Sequence, residues 1–131
     1  MYFRMRTSKE TMDILKELQD ITHITPNILA RFAISLSLRD STPVEERDRN
    51  THGLEFHRHI LTGNHDLLYK CLISQHCGRY LSDEEYFPTY IKRHLDRGAP
   101  ELKNIYEYSR NSEKFIVNLS KINSGVMLWY I

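Results

Sequence analysis

Apolar and polar positions alternate with a period of two at the start of the chain and then change to a helical period. Tyr2, Arg4 and Arg6 interleave with Phe3 and Met5, so an extended segment turns the arginines to one face and the two apolar side chains to the other. Thr7-Ser8-Lys9-Glu10 fits a capping box, in which the Thr7 hydroxyl and the Glu10 carboxylate take up free backbone N–H groups, and a helix is predicted to follow at once. Met12, Ile14, Leu15, Leu18 and Ile21 supply its apolar stripe, while Lys9, Asp13, Lys16, Glu17 and Asp20 cover the rest. After the short turn Thr22-His23-Ile24, Thr25 stands as N-cap before Pro26. Ile28, Leu29, Phe32, Ala33 and Leu36 then give a second helix its buried face.

Strand, helix, helix over residues 1–38 is the ribbon-helix-helix order. An isolated strand cannot be buried by one copy, so the pattern predicts that two copies pair their strands into a ribbon over interlocked helices. Such a ribbon fits a major groove and presents Arg4 and Arg6 to base edges or phosphates. Lys9 lies next to them, and the second helix points its N-terminus at a phosphate, with Thr25 and Asn27 at that end and Arg31 one turn further on. The alternative is that Arg4 and Arg6 are solvated charges that keep an edge strand from aggregating.

Further along, residues 39–53 combine mixed charge with one proline and almost no apolar side chain, which reads as a linker or long loop. In the following run Leu54, Phe56 and Ile60 fall on one face and Glu55, His57 and His59 on the other, as in a strand. A helix is predicted over 65–76, so apolar around its circumference that it belongs inside the domain or between subunits. Ser82-Asp83-Glu84-Glu85 is a second capping box, and the stripe Tyr86, Phe87, Tyr90, Ile91 and Leu95 continues to a stop at Gly98, with a kink or restart at Pro88. Lys92, Arg93 and Arg97 near that end complement the helix dipole and form a small basic patch, a further candidate for DNA contact together with Lys16. Leu102, Ile105 and Tyr106 predict a last short helix. Residues 115–119 are strand-like, and an apolar terminus follows. The fold class expected is mainly α: a ribbon-helix-helix-like strand and two helices, then further helices, in a single small oligomeric domain.

Composition narrows the function more than the fold. The 131 residues carry a net charge of +1, which argues against a strongly basic, sequence-blind DNA coat, so binding must use local patches or many copies. No apolar run approaches the roughly 20 residues of a membrane span and the N-terminus does not look like a signal peptide, so a cytoplasmic protein is expected. The two cysteines, Cys71 and Cys77, are read as reduced. Glu55, His57 and His59 on one strand face are weak candidates for a divalent metal, since their spacing matches no recognised zinc or metalloprotease pattern. No phosphate-binding glycine loop and no nucleophile elbow occurs, and no cofactor is expected.

Arg6-Thr-Ser-Lys-Glu-Thr, Ile24-Thr-Pro-Asn-Ile-Leu-Ala-Arg, Leu36-Ser-Leu, Gly53-Leu-Glu-Phe, Leu61-Thr-Gly, Leu68-Tyr-Lys and His94-Leu-Asp-Arg-Gly, in that order, resemble the DndE family of DNA sulfur-modification proteins. The resemblance covers about residues 3–103. It suggests a DndE-like domain over 1–110, made of the 1–38 part, the 39–53 loop and a helical part over 54–110, followed by an atypical tail at 111–131. It implies a non-catalytic accessory subunit of DNA phosphorothioation, in which sulfur replaces a non-bridging oxygen of the DNA backbone. It also implies a cytoplasmic homotetramer that prefers nicked duplex and works with an iron–sulfur ATP-pyrophosphatase-like subunit and an ATPase. Two other readings fit the residues: a ribbon-helix-helix repressor or antitoxin, and a metal-dependent nickase using Glu55, His57 and His59.

Overall fold

The first strand, β1 (Arg4–Arg6), pairs antiparallel with a second, β2 (Glu55–His57), setting Arg4 opposite His57, Met5 opposite Phe56 and Arg6 opposite Glu55. The strand thus has its partner inside the same chain. The expected pairing of two copies through this strand is not needed to bury it, because Met5 and Phe56 already turn into the chain's own core. The computed structural model describes residues 3–45 and 50–130, with side chains described as far as Lys121.

Two antiparallel-style turns of chain then build the helical body. Helix α1 (Lys9–Thr22) buries Thr11, Ile14, Leu15 and Leu18, and α2 (Pro26–Arg39) buries Leu29, Ala30, Ala33, Ile34, Leu36 and Ser37. The first cap is displaced by one residue from the expectation. Ser8 is the N-cap and accepts from the Thr11 N–H, whereas the Thr7 hydroxyl donates to the Ser8 carbonyl and accepts from the Leu54 N–H, which ties it to the strand side. Gly53 is required at this junction: a side chain there would collide with the Thr7 hydroxyl and the Ser8 carbonyl.

The strand-like run ends sooner than its alternation suggests. After His57 the chain turns into α3 (Arg58–Leu61), a single 3-10 turn (Gly63–His65) and α4 (Asp66–Cys77), which ends at Gly78 in the left-handed region. The second capping box forms as expected, with the Glu85 N–H donating to Ser82 Oγ at 3.2 Å and the Ser82 N–H to Glu85 Oε1 at 3.1 Å. Phe87 is extended before a cis Pro88, within the π-type turn Glu85–Tyr90, and α5 (Ile91–Ser109) follows.

Two expectations fail in this half. Helix α5 does not stop at Gly98 but runs on to Ser109 and takes in Leu102, Ile105 and Tyr106, because Gly98 marks a crossing rather than an end. A side chain at Gly98 would strike the Ala33 carbonyl, so α2 and α5 approach at backbone distance there. The strand-like residues 115–119 are helical, within α6 (Ser112–Tyr130). Phe115 and Leu119, one turn apart, bury one face of that helix, and the Phe115 ring meets Tyr106 of α5 edge-on at 5.4 Å. A continuous core runs from Met5 through α1, α2 and α5 to Leu119. Among the described residues no helix is long and apolar enough to cross a membrane.

Candidate nucleic-acid interface

The strand register decides which side chains meet solvent together. Backbone bonds from Arg58 N to the Phe3 carbonyl (2.8 Å) and from Thr7 N to the Leu54 carbonyl (2.9 Å) fix alternate bonded pairs along the ladder. Arg4 with His57 and Arg6 with Glu55 therefore occupy the closer, non-hydrogen-bonded positions. All four point away from Met5 and Phe56, so one face of the ribbon carries two guanidiniums, an imidazole and a carboxylate. Glu55 lies between two partners, with Oε1 at 3.8 Å from Arg6 Nε and Oε2 at 3.9 Å from His57 Nε2. Both distances exceed a hydrogen bond, so these groups keep their donors and lone pairs for a ligand.

Behind the ribbon lies a polar network that anchors it. Arg58 sits at the end of β2 and is only 8% exposed. Its Nε and Nη2 donate to Asp66 at 3.0 and 2.8 Å, and its Nη1 and Nη2 to Asp83 at 2.7 Å each. The guanidinium lies 5.2 Å from the centre of the Tyr86 ring and 5.6 Å from that of Phe87. Burial pushes the Asp66 carboxyl up, but hydrogen bonds from Arg58, Thr62 and Tyr86 outweigh it and hold the group below the usual carboxylate range. Hydrogen bonding from Arg58 likewise lowers Asp83, and burial beside Asp66 raises the Tyr86 phenol. On the other side, Asp96 of α5 accepts from the Ser8 N–H and hydroxyl, from Thr11 Oγ1 at 2.7 Å and from Lys92 Nζ at 2.6 Å, which fixes the start of α1 against α5.

The predicted cationic contacts divide into two groups. Arg4, Arg6, Lys9 and Lys16 are exposed. Thr25 is exposed at the start of α2, and its side chain makes no capping bond; Asn27 is half-buried in the first turn. Arg31, by contrast, donates from Nε to the Leu61 carbonyl at 2.7 Å and from Nη2 to that of Ile60 at 2.9 Å, so it closes the C-terminal end of α3. Lys92 holds Asp96, and the Arg93 guanidinium lies 4.8 Å over the Tyr90 ring. Arg97 is taken up at the end of α2: Nε donates to Ser37 Oγ (2.8 Å), Nη2 to the Ser37 carbonyl (2.7 Å) and Nη1 to the Thr42 carbonyl (2.8 Å). The expected basic patch of Lys92, Arg93 and Arg97 is thus largely internal bonding. The sequence signal for Arg58 is its place on the apolar parity of Leu54, Phe56 and Ile60, where a charge needs buried partners.

Two further candidates take definite form. Glu55 and His57 share the ribbon face, but His59 has passed into α3, its ring 5.8 Å from that of His57. Among the described residues no group of three His, Cys, Asp or Glu side chains has a metal-binding arrangement. The groove between α1 and α5, about 560 Å³, is lined by Lys9 and Lys103 against Glu10, Asp13, Glu17 and Glu107, a balance that repels a polyanion. Helix α4, predicted to be covered, buries only Ile73 in this chain and leaves Leu67 72%, Leu68 54% and Leu72 39% exposed.

Comparison with known proteins agrees with this architecture. The family described as DNA sulphur modification protein DndE matches residues 4–110. The fold is similar to the crystal structure of DndE from Escherichia coli B7A, involved in DNA phosphorothioation modification, with a TM-score of 0.62 and 24% identity over 78% of this chain and 98% of that one. It is also similar to a glycine-to-lysine mutant of DndE involved in DNA phosphorothioation, with a TM-score of 0.61 and 24% identity over 79% of this chain and 99% of that one. No curated protein matches the sequence closely enough to count as a relative.

Proposed function

The chain belongs to the DndE family of DNA sulphur modification proteins, and from that premise we propose that it is a non-catalytic DNA-binding and adaptor subunit of a DNA phosphorothioation system. The observation that carries the reading is the ribbon face, where Arg4 and Arg6 stand exposed on a two-stranded support while other basic residues are spent internally. Arg4, Arg6 and Lys9 contact phosphate or base edges, and Thr25 with Asn27 supports them at the start of α2. Arg31 acts on the site indirectly, by closing α3 next to β2.

A net charge of +1 gives one copy little general attraction to DNA. The exposed leucines of α4 supply a surface through which copies assemble, and a tetramer repeats the arginine face four times. Preference for a nicked duplex follows from mechanics: a nick lowers the cost of bending the helix and opening the backbone to the modifying subunits. Those subunits, iron–sulfur ATP-pyrophosphatase-like and ATPase, carry the chemistry in this reading, and the present chain positions them.

The test is a salt titration of affinity for matched intact and nicked duplexes, with wild type and the Arg4→Ala, Arg6→Ala double variant. Loss of two phosphate contacts per protomer lowers the slope of log affinity against log salt by about 1.8 per protomer engaged. Tighter binding to the nicked duplex and a shallower slope in the variant support the reading. Equal affinity and slope in both proteins refute the ribbon as the contact.

A further inference from the structure

A carboxylate in the middle of a cationic face calls for an explanation. Glu55 faces outward beside Arg6 and His57, its side chain 32% exposed and that of Arg6 55%. Against phosphate it is a liability, since it repels the ligand and offsets one of the two arginines. Against base edges it is an asset, because the exocyclic amine of cytosine is a donor that a glutamate accepts.

Resting on the DNA-binding reading above, we propose that the cross-strand pair Arg6 and Glu55 reads a G·C base pair in the major groove, Arg6 donating to guanine O6 and N7 and Glu55 accepting from the cytosine N4 amine. The two residues are directly opposite one another in a non-hydrogen-bonded pair. Such pairs hold their Cβ atoms about 4.5–5.5 Å apart and aim both side chains the same way, so adjacent edges of one base pair are reached from one rung of the ribbon. The 3.8 Å separation leaves the pair unlocked, and its polar atoms transfer to a base pair without breaking a tight bond. The rung is firmly seated, since Met5 and Phe56 pin the opposite face in the core and Arg58 ties the end of β2 to Asp66 and Asp83.

The same pair rejects A·T twice. In place of guanine O6 adenine presents the N6 amine, donor against the donors of Arg6. In place of the cytosine amine thymine presents O4, acceptor against the acceptor of Glu55. Arg4, diagonal to this rung and facing His57, is left for a neighbouring base or the backbone.

The test is selection from a pool of duplexes with a randomised core, using the full chain, followed by sequencing of the bound fraction and affinity measurement on single duplexes. Wild type is expected to enrich G·C over A·T about tenfold or more at one fixed position. Glu55→Gln relaxes the cytosine requirement there and binds random-sequence duplex more tightly, because a repelling charge is gone. Replacing guanine by 7-deazaguanine at that position weakens wild type and leaves Arg6→Ala indifferent. A bound pool with no base preference, or a preference that Glu55→Gln leaves intact, overturns base reading while the DNA-binding function stands. Absence of binding to any duplex overturns both.

Discussion

Lowering the pH from 7 to 5 is expected to destabilise the fold by about 2 kcal/mol through one buried ring, His94. That side chain is fully buried under the end of α2, with Nδ1 2.8 Å from Ser37 Oγ and its ring edge-on to His76 at 4.8 Å between centroids. Ser37 Oγ accepts from Arg97, so its proton goes to His94 Nδ1, which keeps the imidazole neutral. Burial, with the charges of His76 and Arg97 adding to it, holds the His94 pKa down to about 3. An unfolded histidine titrates near 6.5. The stability is therefore fully present above about pH 6.5 and is lost as the pH falls towards 3, because only the unfolded chain takes up the proton in that window. At pH 5 the gap of about 1.5 pH units is worth about 2 kcal/mol at 1.36 kcal/mol per unit. Carboxylates contribute little to this interval, since their unfolded values lie near 4. The assay is urea denaturation at pH 7 and pH 5 for wild type and His94→Asn, in which the amide oxygen can still accept from Ser37. The variant is expected to be weaker at both pH values but to lose the pH-dependent part. An equal fall in the variant, or no fall in wild type, refutes the assignment.

Gly98→Ala forces α2 and α5 apart at the Ala33 carbonyl and is expected to cost about 1–3 kcal/mol, read as a lowered thermal midpoint with the helical content kept. Arg58→Met leaves Asp66 and Asp83 buried without their cation and is expected to cost about 3–5 kcal/mol; a loss under 1 kcal/mol shows that water replaces the guanidinium. Leu68→Asp on the exposed face of α4 is expected to lower the oligomer mass in light scattering without lowering the monomer's stability, because Leu68 is 54% exposed in the single chain. An unchanged mass places assembly on another face.

Local pattern reached some of this structure and stopped where non-local partners took over. The alternation of Arg4, Met5 and Arg6 identified an exposed and a buried face correctly, and the Ser82 capping box formed with both of its bonds. What the pattern lacked was the partner of β1: a strand 50 residues away looks locally like a short half-buried run, and the 39–53 loop conceals the connection. Gly98 misled for the same reason, since a glycine that stops a helix and a glycine that admits another backbone read alike in sequence. The basic residues showed the limit most clearly. Arg31 and Arg97 have the composition of a DNA contact, yet each bonds backbone carbonyls at a helix end, a use that depends on which helix termini tertiary packing brings within reach.

This division of the arginines has a consequence for function. Arg31 closes α3, Arg97 closes α2 and Arg58 draws α4 and the 82–85 cap onto the end of β2, so three guanidiniums are spent on holding the body around the ribbon. The remaining two, Arg4 and Arg6, are presented by an element with no slack: its inner face is core, and its C-terminal junction is fixed by Ser8 on Asp96. A contact built this way keeps little conformational entropy to lose on binding, which favours recognition by few groups over neutralisation by many. The near-zero net charge fits the same logic, because a protein that depended on bulk attraction to DNA would need the excess of lysine and arginine that this chain does not carry.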